Sequence, residues 1–257
     1  MKRYRAIAAY YDAESDQLRM LKEDVPFFLR HLPKRPQSVL ELATGTARAA
    51  IPIAQAGHRV VGVDYAADML AIARKKRDAV GLSEHDLKLV RGDVLKLNLG
   101  RRFDWVCIFF NTFLGFTKLQ QQDQVLQNIR RHLKPRGRFW LDIFQPDHSM
   151  LAEPRSLGIE SSGFYVPATG RTVHRSVDVR RDMSRQWMQV TFNYRWFDDR
   201  GMERREKTVF EMTAIFPREL TLLLERNGFF VEQLFGDYDG SPLKARSPRM
   251  IACCRLA

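Results

Sequence analysis

The stretch of sequence that decides the fold is Ser38–Leu70, SVLELATGTARAAIPIAQAGHRVVGVDYAADML. Its first five residues are apolar apart from one acid, Glu41, as expected for a buried parallel strand. The Ala-rich segment Ala47–Ala56 predicts a helix, and His58–Val63 predicts a second buried strand that ends at Asp64. A strand, a turn, a helix and a second strand in this order predict a nucleotide-binding crevice.

The turn between the first strand and the helix indicates which nucleotide it holds. It contains one glycine, Gly45, with Ala43 and Ala47 on either side. A dinucleotide pyrophosphate requires G-x-G-x-x-G, so that it can rest on bare backbone, and this turn lacks two of those glycines. The methionine tail of an adenosyl-sulfonium cofactor is smaller, so the turn favours that cofactor over NAD. Asp64 is placed to accept hydrogen bonds from both ribose hydroxyls.

Four segments in the same order as in a known family strengthen this interpretation: VLELATGTAR, VVGVDYAADML, RGDVLKL and FDWVCIFFNTF. Together they resemble the class I S-adenosylmethionine-dependent methyltransferases (EC 2.1.1.-), over about Tyr10–Phe144 and more loosely beyond. The resemblance implies S-adenosyl-L-methionine as cofactor and a Rossmann-like, doubly wound α/β fold. Its seven-stranded sheet would have a terminal antiparallel strand. The sequence departs from the usual acid-x-Gly-x-Gly-x-Gly turn at Ala43 and Ala47.

The resemblance also implies the residues that bind the cofactor, which come from the ends of successive strands. They are Glu41, Ala43, Gly45 and Thr46 at the methionine end, Asp64 at the ribose, Tyr65, Met69, Asp93 and Val94 around the adenine, and Phe110 and Asn111 facing the reacting methyl group. Plainer interpretations exist, because Asp64 can cap the following turn and Asp93 or Asn111 can simply form a turn. Glu41 requires a ligand or a cationic partner, since an unpaired buried carboxylate costs several kcal/mol.

Three residues are candidates for acting on the methyl acceptor. Tyr11 lies in IAAYYD, which resembles the aromatic-Asp segment that crosses the cofactor in many of these enzymes; packing of the helix is the alternative. His148 follows the fifth strand, where a substrate loop is expected, although a lone His in a polar loop is often only solvated. His174 is a third candidate base. Because the sulfonium is already activated, a strong base is necessary only for a protonated or weakly acidic acceptor.

The sequence divides into four parts, and the first two contain predicted helix caps. Asp24 is expected to cap the second N-terminal helix just before Pro26, and Asp68 to cap the helix that begins at Met69. The parts are an N-terminal helical lid (1–36), a cofactor-binding core (37–147), an inserted antiparallel sheet (148–215) and a C-terminal helix and strands completing the core (216–257). The further core strands are predicted over Leu87–Arg91, Trp105–Phe110, Arg138–Phe144, Phe229–Phe235 and Pro248–Cys254.

The insert is predicted from a change in periodicity after the fifth strand. Met188–Trp196 alternates apolar and polar residues, which is typical of a half-buried antiparallel strand. A hairpin leads to a return strand over Arg205–Ile215, and Thr172–Arg180 predicts a third strand. Pro146–Gly170 is expected to be irregular. In related enzymes such an insert roofs the active site, whereas a dimerisation sheet is the alternative because an apolar face with an exposed edge invites pairing.

Composition limits the location and chemistry of the protein. Three cysteines give neither a disulfide framework nor metal-ligand spacing, so a reducing cytoplasm and no metal are expected. No apolar stretch reaches the length of a membrane span, and the N-terminus turns polar too early for a signal peptide. The sequence therefore predicts no membrane partner.

The net charge of +12 makes RNA an alternative type of substrate. Such a basic balance can attract RNA phosphates, although no zinc knuckle or aromatic RNP pattern is present. The leading prediction is a methyltransferase that modifies an N or O atom of a small molecule, as a monomer or homodimer. The alternatives are a tRNA or other RNA methyltransferase, and a catalytically silent, cofactor-binding regulatory protein.

Overall fold

A seven-stranded sheet forms the centre of the computed structural model, which describes residues 10–18, 20–147, 151–160 and 163–257. Its strands are β1 (Ser38–Leu42), β2 (Arg59–Asp64), β3 (Leu87–Arg91), β4 (Phe103–Ile108), β5 (Leu133–Phe144), β11 (Phe229–Phe235) and β12 (Arg249–Leu256). Their order is β11-β12-β5-β4-β1-β2-β3. β1 to β5 are parallel, whereas β12 and β11 close the sheet in antiparallel fashion. This topology confirms the predicted fold class.

The order of the strands brings the predicted ligand-binding segments together. β1 lies between β2 and β4, and all three run in the same direction. Their carboxyl ends, at Leu42, Asp64 and Ile108, therefore lie at one edge of the sheet. The strand order reverses between β1 and β4, and ligands of open α/β sheets bind in the crevice at such a reversal.

Helices cover both faces of the sheet. Successive residues of a strand point to opposite faces, and β1 accordingly sends Val39 into one apolar cluster and Leu40 into the other. The described part of the chain contains no helix with the length and apolar character needed to cross a membrane. The helices are α1 (Met20–His31), α2 (Ala50–Gln55) and α3 (Ala67–Ala79), with residues in the cluster of Val39, and α4 (Leu119–His132) and α5 (Pro217–Arg226), with residues in that of Leu40.

Two predicted helix caps are wrong. α1 begins before Asp24 and contains Pro26, so Asp24 is not its N-cap. Asp24 is buried and instead accepts two hydrogen bonds from Arg48, at 2.9 and 2.5 Å. α3 has Ala66 as its N-cap, and Asp68 lies in its first turn, where a negative charge favours the helix dipole. For Asp24 a tertiary ion pair overrides the local preference of Asp for a cap.

An inserted antiparallel sheet follows β5, as predicted. Its strand order is β10-β9-β8-β6, and β7 pairs with β8. The expectation that Pro146–Gly170 is irregular is wrong for β6 and β7. In β6 the register shifts between Ser156 and Ile159, around a left-handed Gly158, and such a bulge breaks the alternation that reveals a strand. The strands are β6 (Arg155–Glu160), β7 (Phe164–Val166), β8 (Arg171–Asp182), β9 (Trp187–Phe197) and β10 (Glu203–Thr213).

The apolar face of the insert packs against the rest of the same chain. Tyr194 and Trp196 of β9 contact Tyr10, with ring centroids 5.6 and 5.7 Å apart. Tyr10 belongs to a helical segment over residues 10–15. Towards the other end of β9, Met188 lies in an apolar cluster with Phe144 of β5. This face, called the inner face below, is therefore packed within the chain towards both ends of β9, and the choice between a roof and a dimer contact stays a prediction.

Candidate active site

The turn after β1 is left-handed at every second residue. Ala43, Gly45 and Ala47 have φ of 56°, 56° and 62°, and we call Ala43–Ala47 the β1 turn. These are the positions at which the usual turn of the resembled family has glycine. For an alanine the left-handed region costs roughly 1–2 kcal/mol. Because the turn extends to Ala47, α2 begins at Ala50 rather than at Ala47 as predicted.

Asp64 at the end of β2 holds the β1 turn. Its Oδ2 accepts the Gly45 N–H at 2.8 Å, and its Oδ1 accepts the Ala66 N–H at 2.8 Å. Burial raises the pKa of Asp64, and the backbone donors act in the opposite direction. Asp64 therefore does cap the turn that follows it, as the plainer interpretation proposed, and it also touches the glycine of the neighbouring turn.

The surroundings of Gly45 and Asp64 fit an adenosyl-sulfonium cofactor. A Cβ placed on Gly45 would find no other heavy atom within 4 Å, so bare backbone borders open space there. A carboxylate has about four lone-pair directions. Backbone donors of Gly45, Ala66 and Tyr65 use part of this capacity at Asp64, so its acceptance of the ribose hydroxyls stays a prediction.

Glu41 lies buried beneath the β1 turn and has a hydroxyl as its partner. Thr44 Oγ1 donates to its carboxylate at 2.6 Å. Burial raises the pKa of Glu41 to about 7 and outweighs the opposite effect of the Thr44 bond. The side chain of Thr44 is itself held against Gly62 of β2, where a Cβ would lie 2.8 Å from Thr44 Oγ1. At neutral pH Glu41 therefore exists in both protonation states.

The helical segment over residues 10–15 is tied to the β1 turn. Asp12 accepts a hydrogen bond from Thr46 Oγ1 at 2.6 Å and from Lys76 Nζ at 2.9 Å. Tyr11, next to Asp12, is half-buried and lies within electrostatic range of Arg48. The structure thus brings Tyr11 close to the predicted methionine end of the site, and its role there stays a prediction.

The same helical segment is also tied to the insert. Glu14 accepts a hydrogen bond from the Tyr194 hydroxyl at 2.9 Å and forms an ion pair with Arg175 of β8. Burial raises the pKa of Tyr194, so its hydroxyl remains a donor. No local pattern in the sequence indicates this contact, because the three residues belong to three separate elements.

The residues predicted to surround the adenine differ in exposure. Met69 and Val94 are buried, whereas Tyr65 is 45% exposed. Asp93 Oδ1 accepts the Leu95 N–H at 2.9 Å and caps a short 3-10 helix. Asp93 therefore forms a turn, as the plainer interpretation proposed. Its contact with the adenine stays a prediction.

The chain turns sharply after β4, at two consecutive left-handed residues. Phe110 and Asn111 have φ of 44° and 61°, and we call them the β4 turn. The strand ends at Ile108, two residues earlier than predicted. Asn111 Oδ1 accepts the Phe144 N–H at 2.8 Å, and the Asn111 N–H donates to the Asp142 carbonyl at 3.0 Å. The Asn111 side chain is thus bound to β5.

The two histidines considered as bases do not enter the described site. His148 lies outside the described residues. His174 is exposed and precedes Arg175, which points to the inner face because it pairs with Glu14. Since successive strand residues alternate between faces, His174 lies on the outer face of the insert, away from the β1 turn.

Three polar residues beside the β4 turn were not predicted: Asp142, Tyr238 and Arg249. All three are buried, and both Tyr238 and Arg249 contact the Asp142 carboxylate. A charged residue inside the apolar run FWLDIF was a sequence signal that pointed to Asp142. Nothing local pointed to its two partners.

Comparisons with known proteins show what the chain is similar to. The family model described as "Methyltransferase domain" matches residues 39–137. The cypemycin N-terminal methyltransferase of a Streptomyces species is 30% identical over 241 residues, which are 94% of this chain and 92% of that protein. The demethylmenaquinone methyltransferase of Streptomyces avermitilis is 32% identical over 178 residues, which are 67% of this chain and 71% of that protein.

A solved structure supports the fold over most of the chain. The CcbJ methyltransferase from Streptomyces caelestis superposes with a TM-score of 0.74 at 24% identity. The superposition covers 92% of this chain and 89% of that one, so it extends well beyond the residues that the family model matches.

Proposed function

The chain belongs to the class I S-adenosylmethionine-dependent methyltransferases, and we propose that it methylates an N or O atom of a small molecule, an amine nitrogen being the favoured acceptor. S-adenosylmethionine is the methyl donor, and its sulfonium supplies a methyl group already activated for displacement. The protein therefore has to bind this donor, align the acceptor atom with the methyl carbon and exclude water.

We assign the cofactor to the edge where β1, β2 and β4 end. Gly45 would let the methionine tail approach the backbone, and Asp64 would accept the ribose hydroxyls. Tyr11 would close the site from the helical segment over residues 10–15. The remaining contacts are proposed for Glu41, Ala43 and Thr46 at the methionine end, Tyr65, Met69, Asp93 and Val94 around the adenine, and Phe110 and Asn111 beside the methyl group.

The position of the insert is the observation that carries the proposal of a small acceptor. Its inner face reaches from Tyr10, at one end of β9, to Phe144, at the carboxyl end of β5. It thus lies across the edge that we assign to the cofactor. The ion pair between Glu14 and Arg175 joins the insert to the helical segment over residues 10–15. An insert held in this way leaves room for a small molecule rather than for a polymer. We therefore propose residues 148–215 as a roof and residues 1–36 as a lid.

An amine acceptor is favoured by a relative that matches most of the chain. The protein matched over 94% of this chain is, by its name, an N-terminal methyltransferase, and so acts on an amine. An amine can lose its proton to water before it binds, so the transfer does not require a strong base. This agrees with a described site in which no histidine faces the β1 turn, and it leaves Tyr11 with a role in positioning or in proton acceptance.

Thr208 offers a polar contact for such an acceptor under the roof. It is 3% exposed, and its Oγ1 has no hydrogen-bond partner among the described residues. In the register of the insert Thr208 pairs with Phe192, which packs with the inner-face cluster of Tyr10 and Tyr194. A buried polar atom without a partner is uncommon, and binding of a ligand is one explanation.

Turnover with a panel of acceptors tests the proposed function. We expect release of S-adenosylhomocysteine with primary or secondary amines, and a mass gain of one methylene per transfer. Thr208→Val should raise the acceptor KM about fivefold or more, because a hydrogen bond contributes roughly 1 kcal/mol. Thr191→Val, on the opposite face of β9, is the matched control and should leave KM unchanged. Turnover only with carbon nucleophiles would contradict the proposal.

A second candidate, an RNA substrate, is favoured by one cavity of about 440 Å³ on the insert. Residues 174–176, 193–195 and 205–207 line it. Arg175 and Tyr194 point inward to Glu14, so they give only backbone to an outer-face cavity. The side chains around it are His174, Ser176, Asn193, Arg195, Arg205 and Lys207. Asp178 and Glu203 border them and reduce the positive charge.

Salt dependence of RNA binding decides on this candidate. If the outer face binds phosphates, affinity for an unmodified tRNA transcript should fall steeply with salt concentration. Lys207→Ala should reduce the slope of the log–log plot by about one, whereas Lys22→Ala, on α1, should not change it. Absence of binding at low salt, or identical slopes in both variants, would reject RNA as the substrate.

A further inference from the structure

The β4 turn requires support from its surroundings. Two consecutive non-glycine residues, Phe110 and Asn111, are left-handed. Each such residue costs of order 1–3 kcal/mol and persists only where neighbouring groups fix it. Strained backbone of this kind clusters at functional sites, and this turn lies at the edge assigned above to the cofactor and acceptor.

Asp142 of β5 contacts the β4 turn from the interior of the protein. It is 0% exposed. Its main-chain carbonyl accepts the Asn111 N–H at 3.0 Å, and its Oδ2 lies 3.4 Å from the Phe110 nitrogen. Both residues of the turn are therefore oriented by one residue of the adjacent strand.

The C-terminal part of the chain holds the Asp142 carboxylate in place. Arg249 of β12 donates to Asp142 Oδ1 from Nε at 3.0 Å and from Nη2 at 2.5 Å. The Tyr238 hydroxyl donates to Asp142 Oδ2 at 2.8 Å. Burial and then the charge of Asp142 raise the pKa of Tyr238, so this hydroxyl keeps its proton at every pH at which the enzyme is assayed.

Arg249 also contacts the turn directly. Its guanidinium lies 5.2 Å from the centre of the Phe110 ring, and 5.7 Å from that of Tyr238. Tyr238 is in turn fixed by Arg30 of α1, which donates to its carbonyl at 2.9 Å. The charges are thus matched, and each oxygen of the buried carboxylate has a close donor, as a buried ion pair requires.

We propose that Asp142, Tyr238 and Arg249 are positioning residues for methyl transfer: they hold the β4 turn in the left-handed conformation that places Phe110 and Asn111 beside the acceptor. The inference rests on the proposed function, because it takes the β4 turn as the acceptor side of the site. None of the three residues touches the substrate. The C-terminal strand and the loop before it are therefore part of the catalytic apparatus, although no sequence motif marks them.

Tyr238→Phe tests the proposal with the smallest change, because it removes one hydroxyl and keeps the ring. We expect kcat to fall at least tenfold, with the KM for S-adenosylmethionine and the Kd for S-adenosylhomocysteine within twofold of the wild type. Asn227→Ala is the matched control. It removes a partly buried hydrogen bond to the Asp123 carboxylate, 2.8 Å long, between α4 and the end of α5. Its kcat should stay within twofold at a temperature where every variant is folded.

Hydrogen exchange provides a readout that needs no acceptor. In Tyr238→Phe and Asp142→Asn, amides of residues 109–112 should exchange at least tenfold faster than in the wild type, and in Asn227→Ala they should not. Unchanged exchange and unchanged kcat in Tyr238→Phe would overturn the proposal and leave these residues a purely structural role. If the wild type binds S-adenosylhomocysteine but methylates no small molecule, the proposed function fails, while the exchange result still decides whether Tyr238 holds the turn.

Discussion

The β1 turn and the β4 turn follow neighbouring parallel strands, and different contacts stabilise their left-handed backbone. Both contain non-glycine residues in the left-handed region. Each also has an Asp–Arg pair with a buried aspartate in its vicinity, Asp24–Arg48 in one case and Asp142–Arg249 in the other. Asp64 at the end of the next strand accepts the Gly45 N–H of the β1 turn, whereas the β4 turn is held by Asp142 together with its partners Tyr238 and Arg249 from the C-terminal part of the chain.

The difference in support matches a difference in exposure. The side chain of Arg48 is 18% exposed, and bare backbone at Gly45 borders open space. The side chain of Arg249 is only 4% exposed. The β1 turn thus borders open space at Gly45, whereas the β4 turn is held by buried side chains. A local motif in the sequence can encode the first arrangement, but the second exists only after the C-terminal strand has paired with β5.

The largest contrast between the turns should appear when each arginine is removed. Arg249→Met leaves the Asp142 charge buried and unpaired, which should lower the free energy of unfolding by about 3–5 kcal/mol. Arg48→Met should cost less, about 1–3 kcal/mol, because water can reach the partly exposed position and solvate Asp24. Urea unfolding of both variants measures the difference. Equal losses would show that the two pairs are supported alike.

Glu41, which lies beneath the β1 turn, should make the free energy of unfolding depend on pH. Its pKa rises from 4.5 to about 7 on folding, so between these values the folded state retains a proton that the unfolded state has lost. The corresponding stability is present below pH 4.5 and is lost as the pH rises through 7. This loss is about 3 kcal/mol, at 1.36 kcal/mol per pH unit.

Glu41→Gln isolates that effect. The difference in unfolding free energy between wild type and variant should shift by about 3 kcal/mol in favour of the variant between pH 4.5 and pH 7.5. Denaturant unfolding at both pH values gives the difference directly. A constant difference would mean that Glu41 titrates in the folded protein as it does in the unfolded chain.

Substitution by glycine should have opposite signs in the two turns. Ala43→Gly relieves left-handed strain and should stabilise the protein by about 0.5–1 kcal/mol, after the added flexibility of the unfolded chain is subtracted. Asn111→Gly should destabilise it by about 1 kcal/mol, because Asn tolerates this region and the bond to the Phe144 N–H is lost. Thermal or urea unfolding distinguishes them. The same sign in both variants would remove the distinction between the turns.

The sequence predicted the parts of the fold in which local pattern and tertiary structure agree. The strands Leu87–Arg91 and Phe229–Phe235 were predicted with the ends that they have in the structure. β6 was missed because the bulge around Gly158 breaks its alternation. The cap at Asp24 was wrong because Arg48, 24 residues away, pairs with it.

For the candidate site, what was predictable depended on separation along the chain. Asp64 and Gly45 are 19 residues apart within one motif, and the hydrogen bond between them places both at the same edge. Asp142 and Arg249 are 107 residues apart, and no pattern in either segment refers to the other. The contact of Glu14 with Tyr194 spans 180 residues. Such contacts follow from the topology of the sheets rather than from local preference.

Calorimetric titration with S-adenosylhomocysteine tests most directly the central claim that the β1 turn and Asp64 bind the cofactor. The wild type should bind with micromolar affinity, and Asp64→Ala should bind at least tenfold more weakly, a loss of about 1.5–3 kcal/mol for a charged acceptor. Asp86→Ala is the control, because Asp86 also accepts a backbone N–H in a turn, that of Ser83. Unchanged affinity in a folded Asp64→Ala variant, or no binding by the wild type, would contradict the assignment.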